Sequence, residues 1–139
     1  MSGGASVDEA ERRARAYAEI GIQQRLFEDT HVREAEKARQ PLPEYLLAHR
    51  LLTPDQHTGL ERAVSYRLGR DEDKKVAHLV VEHGYCSEAA VAKALKQQKE
   101  FYAKTGQLIR LGNLLVETGS LTDSQHLAAM KLFRLSARS

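Results

Sequence analysis

The strongest constraint in this chain is that it repeats itself. Residues 16–40 (AYAEIGIQQRLFEDTHVREAEKARQ) lie without gaps on residues 75–99 (KVAHLVVEHGYCSEAAVAKALKQQK), and residues 41–57 (PLPEYLLAHRLLTPDQH) lie on residues 110–126 (RLGNLLVETGSLTDSQH). Ala18 meets Ala77, Ile20 meets Leu79, Val32 meets Val91, Ala35 meets Ala94, Leu46 meets Leu115 and Thr53 meets Thr122. A duplicated pattern of this kind implies units that cover one another's apolar faces, with a core built between the copies. The expectation is one compact domain over residues 1–139, duplicated over 16–64 and 75–133.

The punctuation is helical. Arg110 to Phe133 reads as a short helix on Leu111, Leu114 and Leu115, a stop at Gly119, and a longer helix capped by Thr122 with Gln125 three residues on. Thr53 before Pro54 marks a second such start, with Leu60, Ala63 and Val64 facing inward to about Arg67 and Gly69 past the end. Ser87 to about Thr105 has the clearest helical period, placing Val91, Ala94, Leu95, Gln98, Phe101 and Tyr102 on one face, and Gly106 closes it. Ser6 is expected to cap the first helix, Gly69 to Lys75 to form a charged surface connection, and the tail from Arg134 to fray. No segment alternates as a strand does, so the fold class is all-α: a compact helical domain of duplicated short-helix/long-helix units.

Composition narrows the function. With 139 residues, 29% of them charged and a net charge of +2, there is no strong field to recruit nucleic acid or an anionic membrane. No apolar run is long enough to insert in a bilayer. The single cysteine, Cys86, lacks an internal partner and fits a reducing, cytoplasmic setting. Six histidines show no metal-ligand spacing, although His57 and His126 occupy equivalent positions and suggest a shared packing role. Glu82, Glu88 and Glu117 read as solvated helix residues. No cofactor, metal site or catalytic constellation is expected, and the chain reads as non-enzymatic.

The string R-L-G-x-x-L-x-x-x-G from Arg110 to Gly119, followed by Thr122 and Gln125, resembles the N-terminal domain of bacterial type II secretion and type IV pilus assembly ATPases, called GspE N-terminal or MshE N-terminal. The resemblance implies a helical regulatory or adaptor module that docks on a protein partner, whether an ATPase, a kinase or other signalling protein, or a second copy. Some members of that family bind cyclic di-GMP, and the resemblance then implies a site at Arg110, Leu111, Gly112, Leu115 and Gly119. Arginine would reach guanine, and glycine would admit the ligand to the backbone. His126 and Phe133 stand where that motif has leucine and glutamine, and the preceding copy offers Lys75-Val76-Ala77 in place of arginine-leucine-glycine. The docking surface is expected in a groove between the two pairs or on the long helix around Lys96, Lys99, Phe101 and Tyr102. A weaker alternative is a nucleic-acid-binding helix face that includes Arg12, Arg13 and Arg15.

Overall fold

The computed structural model describes residues 3–137, with side chains described for residues 8–136. Seven helices follow in order: α1 (Gly3–Gln23), α2 (Asp29–Lys37), α3 (Leu42–Ala48), α4 (Pro54–Glu82), α5 (Glu88–Thr105), α6 (Leu111–Glu117) and α7 (Asp123–Ala137). No strand occurs among the described residues, and the fold is all-α. The chain divides into two compact units, Met1–Leu68 and Gly69–Ser139, so the two duplicated segments fall one in each.

The gapless alignment carries through to the helix ends. Gln23 and Glu82 end α1 and α4, Asp29 and Glu88 open α2 and α5, and Pro54 and Asp123 open α4 and α7. Both threonine caps form as the sequence predicts. Gln56 N–H donates to Thr53 Oγ1 at 3.1 Å while Gln56 Oε1 accepts from Thr53 N–H at 2.9 Å, and Thr122 with Gln125 repeats this at 3.1 and 3.0 Å. Ser87 caps α5 through the N–H of Ala90, and Gly106 ends that helix in the left-handed region.

Each unit has its own core. In the first, Ala16, Tyr17, Ile20, Phe27 and Ala35 cluster with Tyr45, Leu46, Leu52, Leu60 and Val64. In the second, Val76, Ala77, Val80, Val91 and Ala94 meet Leu111, Leu115, Leu121 and Ala129. Leu46 and Leu115 are equivalent and both fully buried, each contributing about 1.5–3 kcal/mol of transfer free energy.

The structure corrects four expectations. Gly69 does not end a helix: α4 runs unbroken for 29 residues through Gly69 to Lys75, so this stretch is not a surface connection. The glycine serves close packing instead, since a Cβ there would fall 2.4 Å from Leu108 Cδ2. Asp73, within the stretch read as exposed, is buried. The helix α1 begins at Gly3, ahead of Ser6, so Ser6 is not at its start; the side chains of Ser6 and Val7 lie outside those described. The tail from Arg134 to Ala137 continues α7, and Arg138 and Ser139 lie outside the described residues.

The copies also close their turns with different residues. Arg25, Arg39 and Arg50 adopt φ of 60°, 55° and 56° in the first unit; the positions matching Arg25 and Arg50 in the second are Gly84 and Gly119. Side chains resist this backbone and glycine does not.

Candidate functional site

Asp73 is the centre of the best-defined polar cluster, and its place follows from helical phase: Asp73, Val76, Ala77 and Val80 share one stripe of α4, all buried. Its carboxylate accepts from Gln98 Nε2 at 2.6 Å, from the Leu111 backbone N–H at 2.9 Å, and from Arg110 Nη2 and Nε at 2.9 and 3.1 Å. Arg110 Nη2 also donates to Glu72 at 2.9 Å, and Gln98 Nε2 to the Ile109 carbonyl at 2.9 Å. Leu111 is the first residue of α6, so Asp73 satisfies a helix-start N–H and places negative charge where the helix dipole favours it. In the first unit Pro41 stands in the position equivalent to Arg110, and its ring presets the backbone ahead of α3 without a side-chain hydrogen bond to the helix start.

Burial opposes the charge on Arg110, but its bonds to Asp73, the charge of Asp73 and then Glu72 outweigh that, and the guanidinium is held more firmly protonated than a free arginine. The trio of Arg110, Glu72 and Asp73 sums to a single negative charge. Gln98 is fully buried, both its bonds run from Nε2, and its Oε1 has no protein partner.

The remaining motif residues also face inward. Leu111 and Leu115 are core, and Gly112 is buried where a Cβ would fall 2.2 Å from His126 Nε2. Gly119 turns the chain at φ 80°. His57, the counterpart of His126, is hydrogen-bonded through Nδ1 to the Tyr17 hydroxyl at 2.8 Å, so both histidines pack within their own units by different contacts. Burial first and Glu61 second push the Tyr17 hydroxyl up to about 12. Arg13 pairs with Glu61 at 3.2 Å, while Arg12 and Arg15 are exposed. Cys86 is half-buried, and burial pushes its thiol up despite a backbone bond at Ser87. No cluster of three metal-ligating side chains occurs among the described residues.

The long helix α5 brings its expected surface together in part. Lys96 and Lys99 are exposed, and Phe101 and Tyr102 are half-buried. Beside its first half runs an open hollow of about 330 Å³ lined by Ala89, Ala90, Lys93, Ala94, Gln97, Thr118 and Ser120. A second, of about 460 Å³, adjoins it through Ala90 and Ser120 and reaches Tyr85 and Cys86. Sequence reasoning missed both, because a groove is made by what neighbouring residues leave unfilled.

No protein-family model, curated protein or solved structure matches the chain.

Proposed function

We propose that this chain is a cytoplasmic, non-enzymatic helical module that docks on a protein partner through α5, in the manner of a regulatory or adaptor domain and akin to the N-terminal domains of secretion ATPases. The observation that carries the reading is the length of α5. It has 18 residues where its counterpart α2 has nine, so this fold closes a unit with half the helix. The inner side of the extension is used internally by Gln98, but Lys99 and Lys104 on it are exposed, as are Lys93 and Lys96 in the first half of the helix. None of these four lysines is in an ion pair among the described residues. The free thiol of Cys86 supports the cytoplasmic setting.

The Arg110 cluster supports docking over a cyclic di-GMP site at the R-L-G motif. The guanidinium that would hold the ligand is already bonded to two carboxylates, and a phosphate approaching it meets their charge.

The test is quantitative affinity capture from the native host with wild type and the Lys96→Glu/Lys99→Glu variant, both checked by circular dichroism. A partner or a second copy retained by wild type and reduced several-fold in the variant is the expected result. Identical capture by both would defeat the reading.

A further inference from the structure

The two units, compared position by position, show what the open groove beside α5 lacks. In the first unit the equivalent place is filled from within. Tyr45 and His49 lie ring against ring, with centroids 4.2 Å apart, and the Tyr45 hydroxyl donates to Glu34 at 2.7 Å. The alignment replaces all three members of that filling in the second unit: Tyr45 by Leu114, His49 by Thr118 and Glu34 by Lys93. Two rings are lost, and an acid becomes a base. The alanines Ala89, Ala90 and Ala94 floor what is left, with Lys93 at the edge. The threonine across the groove is bonded inward, Thr118 Oγ1 donating to the Leu114 carbonyl at 2.9 Å, which leaves Lys93 as the charged group on offer.

We infer that this groove is a docking site for an acidic segment of a partner protein that carries an aromatic side chain. The aromatic ring takes the place that Tyr45 fills in the sister unit, and flanking carboxylates meet Lys93 and, along the same helix, Lys96. Charge complementarity sets the sign of the partner, since α5 carries four lysines against two acids, Glu88 and Glu100, and Lys93 is the charged residue in the groove's lining. The alanine floor fixes its shape, because small side chains let a flat ring reach the helix surface. The inference rests on the docking reading above and names the chemistry of the partner.

The experiment is a heteronuclear NMR titration of the full chain with a short acetylated glutamate peptide bearing one central phenylalanine. Shifts are expected at Ala89, Ala90, Lys93, Ala94, Thr118 and Ser120. Affinity should fall about tenfold or more in Lys93→Glu, and likewise between about 0.05 and 0.5 M salt. The matching lysine peptide should leave the spectrum unchanged, and replacing the phenylalanine by alanine should weaken binding. Leu114→Tyr alone, which puts a ring where Tyr45 stands in the sister unit and leaves Lys93 in place, should weaken binding as well.

No shift at millimolar peptide, shifts confined to other surfaces, or full affinity in Lys93→Glu would overturn the proposal. So would anionic phosphatidylserine vesicles or duplex DNA binding the groove with the same dependence on Lys93 in place of the peptide. If host-partner capture depends on Lys96 and Lys99 while the peptide fails, the docking reading stands and the groove assignment falls. If capture is unaffected by those lysines, the docking reading itself falls.

Discussion

At the scale of single residues, Asp73 concentrates the most interaction in the least surface. Removing its carboxylate leaves Gln98 and the Leu111 N–H without an acceptor and Arg110 with Glu72 alone. Asp73→Ala is expected to lower the unfolding free energy by about 3 kcal/mol in urea denaturation, and Arg110→Ala by less, because that side chain is 41% exposed. Tyr17 gives a pH signature. Its hydroxyl ionises near 10 in the unfolded chain and near 12 in the folded one, so it adds nothing to the pH dependence below 10 and lowers stability as pH rises from 10 to 12. Tyr17→Phe should flatten that limb in alkaline melts followed by circular dichroism. Asp73 was hidden in the sequence by its neighbours: a run of charges reads as surface, and only its phase with Val76 and Val80 gives it away.

At the scale of elements, caps and turns were the legible part. The threonine-glutamine pairs, the Ser87 start and the Gly106 stop depend on contacts three or four residues away, which a sequence displays directly. Thr122→Ala should cost about 1 kcal/mol, read by urea denaturation, through loss of the bond to Gln125. The continuity of α4 was not legible, because Gly69 is as good a stop as a packing contact until Leu108, far along the chain, is seen to lie over it. The left-handed arginines make the opposite prediction from most substitutions. Arg50→Gly should raise the melting temperature, by roughly 0.5–1 kcal/mol in stability, the relieved strain less the freedom glycine gains in the unfolded chain.

At the scale of the whole molecule, one duplicated pattern supports two interiors. Leu46→Ala and Leu115→Ala should each cost about 2–5 kcal/mol, with the larger loss of hydrogen-exchange protection falling among the amides of the altered unit. Calorimetry with cyclic di-GMP at high micromolar concentration should show no heat, because the arginine of the motif is committed to Glu72 and Asp73. The all-helical class could be read from apolar spacing; that each half closes a core of its own, in place of one built between the duplicated halves, could not. The polar network and the groove could not, since both arise where the copies have diverged and depend on residues brought together from distant parts of the chain.

The start of α3 rests on Pro41, whereas the start of α6 rests on Arg110 and a carboxylate delivered from α4. A recombination event that copied residues 41–57 over 110–126 would bring in the proline and strand Asp73 in the interior without its guanidinium. The two starts are therefore not interchangeable parts: each is matched to the helix that lies beside it in its own half.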